Sequence, residues 1–145
     1  MTTSKVYLLD ANVLIALSDP RHSHHMAAQR WFDSLKNFKF ATCAITESAF
    51  IRLMVNPAVG DETPATAFAL LDQMRALPTF MFIEDDASLA EPVIDRSYLF
   101  GYKQVTDFQL VNLAAKHKAV FATFDSRLNA SLAEADRHYV FIIPV

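Results

Sequence analysis

Residues 5–17 constrain the fold of this chain more than any other stretch, because they form an apolar run with one carboxylate near its middle. Residues 6–9 are β-branched, aromatic or aliphatic and predict a short strand buried on both faces, as in a parallel sheet. Asp10 follows directly, and residues 11–17 predict the first turns of a buried helix. Open α/β folds bind ligands at such strand-to-helix junctions, so Asp10 is a candidate site residue.

Asp10 also has a simpler interpretation as a helix N-cap, since an Asp side chain accepts hydrogen bonds from the free N–H groups of the first turn. Caps are far commoner than catalytic carboxylates. Taken alone, Asp10 therefore indicates a cap, and a functional role requires support from the rest of the chain.

The length of 145 residues indicates one domain spanning residues 1–145, and a hydrophobic content of 52% is enough for a substantial core. Only two glycines are present, which argues against phosphate-binding glycine-rich loops. A single cysteine, Cys43, excludes an internal disulfide framework and a cysteine-rich zinc site, and it is expected to be a small buried side chain.

The net charge of −3 is not typical of a nucleic-acid-binding protein, but it is compatible with a nuclease that gathers acids around a metal. The polar start MTTSK and the interrupted apolar run behind it match neither a signal peptide nor a membrane span. We therefore expect a cytoplasmic protein with no membrane association.

Strands and helices are predicted to alternate along the chain. Beyond the first strand, apolar runs predict strands at 38–42, 79–83, 119–124 and 139–143. Helical spacing of apolar residues predicts helices at 11–17, 22–36, 42–54, 64–77, 106–118 and 126–132, and a further helix at 87–97 despite Pro92. This alternation predicts an α/β fold around a mostly parallel sheet.

Two polar clusters invite a metal-binding interpretation, and a plainer one is favoured for each. His22, His24 and His25 precede a predicted helix and lack the further ligands that would complete a shell, so we expect polar residues that at most touch a ligand near the rim. The acids at 84–86 are adjacent along an extended segment and point different ways, which favours a solvated loop with an N-cap.

Four acids occupy comparable places in different parts of the chain. Asp10 and Asp125 each follow a buried strand, Asp107 opens a helix, and Glu47 lies on a helix that follows another strand. Because the carboxyl ends of parallel strands meet at one edge of a sheet, the acids can converge there. Four carboxylates need a compensating cation, and oxygen ligands favour Mg²⁺ or Mn²⁺ over Zn²⁺. Such metals act in phosphoryl transfer or hydrolysis.

Three stretches resemble the PIN-domain family and, within it, the VapC toxins of bacterial type II toxin–antitoxin systems. They read LLDANVLIAL, ATCAITESAFIRLMVNP and GYKQVTDFQLVNLAAKHKAVFATFDSRL, in this order. The resemblance implies a three-layer α/β/α fold and a metal-dependent endoribonuclease that hydrolyses RNA, with transfer or ribosomal RNA as the expected substrate. It also implies a homodimer and a VapB-type antitoxin that blocks the site.

The resemblance assigns the four catalytic positions to Asp10, Glu47, Asp107 and Asp125. It implies that Asp10 and Asp107 chiefly bind Mg²⁺ or Mn²⁺, while Asp125 and Glu47 complete or position the water shell. On this basis a water steered by Glu47 or Asp125 attacks the phosphate and leaves a 5′-phosphate. Lys118 stands where the family commonly has glycine, which affects only a turn.

Other residues receive supporting roles from the same resemblance. Asn12 is expected to orient Asp10, and Thr123 is expected to orient Asp125 unless it is simply a core residue. Arg52 is expected to pair with an acid, contact RNA or contact an antitoxin. No RNA-binding surface is evident from the sequence, and the basic residues near the predicted rim are candidates for it: Arg21, Lys103, Lys116 and Arg127.

Two alternative functions are open at this point. A phosphatase or phosphotransferase of the haloacid-dehalogenase type also places an Asp after its first strand, but it generally needs a second Asp two residues later, where this chain has Asn12. A non-catalytic RNA-binding PIN domain would have lost its acids, whereas all four are present here.

Overall fold

Five short parallel strands form the centre of the structure, a computed structural model that describes residues 4–145. The polar start at residues 1–3 lies outside the described residues. The strand order is β3-β2-β1-β4-β5, so the apolar strand β1 occupies the middle of the sheet. The strands are β1 (Lys5–Leu9), β2 (Phe38–Thr42), β3 (Phe80–Phe82), β4 (Val120–Thr123) and β5 (Val140–Ile142).

The α-helices match the sequence predictions at six of seven places. Their bounds are α1 (Ala11–Ser18), α2 (His25–Ser34), α3 (Ala44–Val55), α4 (Pro64–Arg75), α5 (Val105–Lys116) and α6 (Ser126–Ala130). Short 3₁₀ helices occupy Arg96–Tyr98, Tyr102–Gln104 and Glu134–Tyr139. Within the described part of the chain, no helix is both long and apolar enough to cross a bilayer.

Two hydrophobic cores cover the two faces of the sheet. Successive residues of β1 point to opposite faces, so Leu8 lies in one core while Tyr7 and Leu9 lie in the other. Helices α5 and α6 contribute Phe108, Leu128 and their neighbours to the first core, whereas α1–α4 contribute to the second. The molecule is therefore a three-layer α/β/α fold with a parallel sheet, as the sequence and the resemblance predicted.

The helix predicted at 87–97 is wrong. This segment consists of turns that lead into the 3₁₀ helix Arg96–Tyr98. Pro92 has no N–H to donate, and it disfavours helical backbone at the residue before it. Backbone N–H groups of the segment bond to side chains instead: that of Val93 donates to Asn112 Oδ1 at 2.7 Å, and that of Asp95 donates to Asp136 Oδ2 at 2.8 Å.

Candidate active site

Asp10 lies at the carboxyl end of the central strand and is held by the neighbouring strand β4. Its N–H donates to the carbonyl oxygen of Ala122 at 3.0 Å, and its Oδ2 accepts a hydrogen bond from Thr123 Oγ1 at 2.7 Å. It occupies the N-cap position of α1, but its side chain makes no capping hydrogen bond. Burial raises the pKa of Asp10, the Thr123 bond partly offsets this, and the charge of Asp125 adds to it.

Asp107 and Asp125 share the electrostatic environment of Asp10. Asp107 lies in the first turn of α5, and Asp125 directly follows β4. Burial, and to a smaller extent the charges of Asp10 and Asp125, together raise the pKa of Asp107 to about 6. The structure therefore brings together three of the four acids, from three separate segments of the chain.

Arg127 is in direct contact with one of these acids, Asp125. Its N–H and its Nε donate to Asp125 Oδ1 at 3.0 Å and 3.2 Å, while its side chain is 90% exposed. A cavity of about 270 Å³ opens beside this pair and is also lined by Lys103 and Asp107. Two of the four basic candidates, Lys103 and Arg127, therefore lie at the acids.

The other two basic candidates are engaged elsewhere. Arg21 pairs with Asp19 at 3.1 Å and with Glu62 at 3.3 Å, which joins the loop after α1 to the loop before α4. Lys116 bonds to the backbone carbonyl of Asp86, so it fastens a loop to the end of α5.

Glu47 is held by side chains other than the three Asp residues. Its Oε2 accepts a hydrogen bond from Thr42 Oγ1 at 2.6 Å and forms an ion pair with Arg75. It is not among the charges that shift the pKa of Asp10 or Asp107. Thr42 and Arg75 are partners that the sequence reasoning missed.

A signal for Thr42 is present in the sequence. Thr42 and Thr123 each end a strand, each is buried, and each donates its hydroxyl to a carboxylate. A threonine that ends a buried apolar strand just before a predicted helix is recognisable from the sequence, but the partner of its hydroxyl depends on which elements adjoin it.

The supporting residues have the following places. Thr123 contacts both junctions, since its Oγ1 donates to Asp10 and accepts the N–H of Asp125 at 3.2 Å. The side chain of Asn12 is exposed and lines a second cavity beside Asp125. Arg52 is exposed, lines a groove with Glu47, and makes no ion pair within residues 4–145.

The histidine cluster lies at the rim, as expected, with one ring directed away. His25 Nδ1 bonds to the carbonyl oxygen of Ala16 at 2.7 Å. The rings of His22 and His24 pack on Phe124, the residue that precedes Asp125. Burial lowers the pKa of His22, and the neighbouring His24 lowers it further.

The acids at 84–86 lie in a loop, and coil and turns rather than an α-helix directly follow them. Asp86 pairs with His117 at 2.6 Å, and Asp85 accepts a hydrogen bond from Gln109 at 3.0 Å. The loop is thus attached to α5 through these side chains.

The chemistry of the three Asp residues fits a hard divalent cation. They offer only carboxylate oxygens, and their mutual repulsion favours a positive charge between them. Among residues 4–145, no three side chains of the His, Cys, Asp and Glu types form a group already close enough to hold a metal ion.

A parallel sheet between two layers of helices, with carboxylates at the ends of neighbouring strands, is the arrangement of a PIN domain. The family model of the PIN domain matches residues 7–131. Two curated relatives come from Mycobacterium tuberculosis. Ribonuclease VapC39 is 42% identical over 124 residues, covering 83% of this chain and 89% of the relative. Ribonuclease VapC38 is 37% identical over 121 residues, covering 82% and 84%. The chain belongs to the PIN-domain family and, within it, to the VapC proteins.

Solved structures share this fold at low sequence identity. The sarcin-ricin loop cleaving toxin VapC20 of Mycobacterium tuberculosis superimposes with a TM-score of 0.61 at 15% identity, covering 88% of this chain and 97% of the other. VapBC2 from Rickettsia felis, bound to a DNA fragment from its promoter, gives a TM-score of 0.59 at 14% identity, covering 88% and 95%.

Proposed function

We propose that this protein is the toxin of a toxin–antitoxin pair and an endoribonuclease that hydrolyses RNA phosphodiester bonds with the help of Mg²⁺ or Mn²⁺. VapC membership makes it a ribonuclease of the toxin–antitoxin class. The observation that supports the metal-dependent chemistry is the electrostatic contact of Asp107 with Asp10 and Asp125: burial chiefly raises the pKa of Asp107, and the charges of these two acids add to the rise, which reaches about 6. A divalent cation relieves the repulsion that this coupling reveals.

Asp10 and Asp107 would hold the metal, and Asp125 would complete its surroundings. When bound, Mg²⁺ or Mn²⁺ supplies Lewis acidity at a phosphoryl group and neutralises the charge that develops in the transition state. The low polarity around Asp10, which already raises its pKa, strengthens the interaction of that carboxylate with a cation.

The remaining residues position these carboxylates. Thr123 fixes one oxygen of Asp10 by donating its hydroxyl to Oδ2. Arg127 holds Asp125 and presents an exposed guanidinium, which is suited to a phosphate of the RNA. Asp125, which shares the environment of Asp10 and Asp107, would take a proton from an attacking water. Catalysis by Glu47 stays a prediction, with Thr42 and Arg75 as its partners.

The partners of the protein are part of the proposal. A VapB-type antitoxin would block the site, and a basic side chain inserted among three acids would be attracted by their charge. A VapBC complex among the structures with this fold supports an antitoxin as partner. The homodimer is carried over from the family and awaits a measurement of mass in solution.

The test is RNA cleavage by the purified chain with Mg²⁺ or Mn²⁺, with excess EDTA, and by Asp10→Asn. We expect cleavage with 5′-phosphate ends by the wild type, and cleavage at background level in both other cases. Asp72→Asn is the control, because Asp72 is an exposed carboxylate on α4. Full activity of Asp10→Asn, or full activity in EDTA, would refute the metal mechanism.

The same preparation separates the two alternatives. Hydrolysis of a small phosphate ester without RNA cleavage would identify a phosphatase. RNA binding without cleavage in the presence of either metal would identify a binding-only domain.

A further inference from the structure

Three aromatic rings lie together beside Asp125, at the edge of the acid site formed by Asp10, Asp107 and Asp125. The ring of His24 packs against Phe124 with centroids 4.9 Å apart, and His22 lies 5.7 Å from His24. His22 and Phe124 are nearly parallel, with 23° between their planes and 6.5 Å between their centroids. All three are partly exposed, so flat ring surface faces solvent beside the acids.

A cavity of about 470 Å³ lies over these rings and reaches the acid site. It is lined by His22, His24 and Phe124 together with Asn12, Asp125 and Arg127. Its volume is within the range of pockets that hold small ligands. Asp125 and Arg127 also line the cavity beside Asp107, so the two cavities adjoin across this pair.

We propose that the rings of His22, His24 and Phe124 form a subsite that binds one unpaired nucleobase of the RNA next to the phosphate that is cleaved. The proposal rests on the proposed ribonuclease function and names a determinant of its substrate. Single-stranded nucleic acid is commonly held by stacking of its bases on aromatic side chains.

The polar groups around the rings suit a base better than a phosphate. Asp125 repels a phosphate at this end of the cavity, whereas a nucleobase is uncharged. The exposed amide of Asn12 offers both a donor and an acceptor to a base edge. Arg127 is placed to contact the adjoining phosphate, since its guanidinium is 90% exposed and borders both cavities.

One ring nitrogen of His22 is already engaged in a hydrogen bond. Its Nδ1 already accepts the backbone N–H of His24 at 3.0 Å. That nitrogen is therefore not free to bind a metal or to take a proton from substrate. Besides the remaining ring nitrogens, the cluster presents partly exposed ring surface to a ligand.

Substitutions of His24 separate the contributions of the ring and of its nitrogens. His24→Phe keeps an aromatic surface and removes the nitrogens, whereas His24→Ala removes both. His138→Ala is the matched control, because His138 is an exposed imidazole that also packs on an aromatic ring, that of Tyr139. His138 precedes β5 and therefore lies at the amino ends of the strands, away from the three Asp residues.

Binding is measured by fluorescence anisotropy with a labelled 12-nucleotide single-stranded RNA, in an Asp10→Asn background with Mg²⁺ so that the RNA stays intact. Loss of one base–aromatic stack predicts a Kd about 5- to 150-fold weaker for His24→Ala. His24→Phe and His138→Ala should bind as the parent does. In the active protein, His24→Ala should raise KM more than it lowers kcat.

An abasic scan locates the base. One abasic position near the cleaved bond should weaken binding of the parent and leave binding of His24→Ala unchanged. Equal losses for His24→Phe and His24→Ala would overturn the stacking proposal in favour of imidazole chemistry. Wild-type affinity of His24→Ala would also overturn it, while RNA cleavage by the wild type would leave the ribonuclease function intact. Absence of both RNA binding and cleavage by the wild type would refute both proposals.

Discussion

Asp107→Asn should make the metal-free protein more stable at neutral pH while abolishing its ribonuclease activity. In the folded protein the pKa of Asp107 is raised from 3.8 to about 6 by burial and by the charges of Asp10 and Asp125. This interval corresponds to at most about 3 kcal/mol of unfolding free energy. Asp107 is half-buried, so solvent screening reduces the expected gain to about 1–2 kcal/mol.

The pH dependence of this gain follows from proton binding. Below pH 3.8 the carboxyl of Asp107 is protonated in both the folded and the unfolded protein, so it does not lower the free energy of unfolding. Between 3.8 and about 6 the unfolded chain loses this proton before the folded protein does, so the stability of the wild type falls as pH rises. Above about pH 6 Asp107 is ionised in both states, and the destabilisation of the folded protein is complete. The advantage of Asp107→Asn should therefore grow from pH 4 to 6.5 and then remain constant.

The assay is urea unfolding in EDTA at several pH values between 4 and 8, with Asp72→Asn as the control for removal of an exposed carboxylate. Addition of Mn²⁺ should stabilise the wild type and leave Asp107→Asn nearly unchanged, because the cation binds the folded site. The reasoning is refuted if Asp107→Asn is no more stable than the wild type at pH 7.5, or if its advantage is the same at pH 4.5.

Two further substitutions test other contacts. Thr123→Val removes the hydroxyl that orients Asp10, and loss of a hydrogen bond to a charged group, about 1.5–3 kcal/mol, predicts kcat/KM about 10- to 150-fold lower. Thr123→Ser keeps the hydroxyl and should retain most of the activity, so equal activities of the two variants would contradict this role. Gly60→Ala places a Cβ 2.5 Å from the carbonyl oxygen of Met54, and the resulting backbone shift should cost about 1–3 kcal/mol, measured as a lower Tm. An unchanged Tm would show that the loop after α3 adjusts freely.

Most of the fold could be predicted from local sequence patterns. Buried apolar runs identify the strands, and the acids that follow 6–9 and 119–124 stand out because each interrupts such a run. The prediction of a helix at 87–97 is wrong because backbone N–H groups of this segment donate to the side chains of Asn112 and Asp136, which are distant in sequence. Local pattern cannot show that such partners are available.

The sequence by itself determined where the buried strands lie and that an acid follows two of them. Apolar residues are buried within a strand, whereas an unpaired carboxylate is rarely buried and therefore stands at the end of the strand. The tertiary structure alone decided which acids meet. The strand order places β4 beside β1, which joins Asp10 and Asp125 through Thr123, and α5 brings Asp107 to them. The tertiary structure also decided that Glu47 is held by Thr42 and Arg75. Electrostatic coupling depends on distance in space, and the packing of the elements sets that distance.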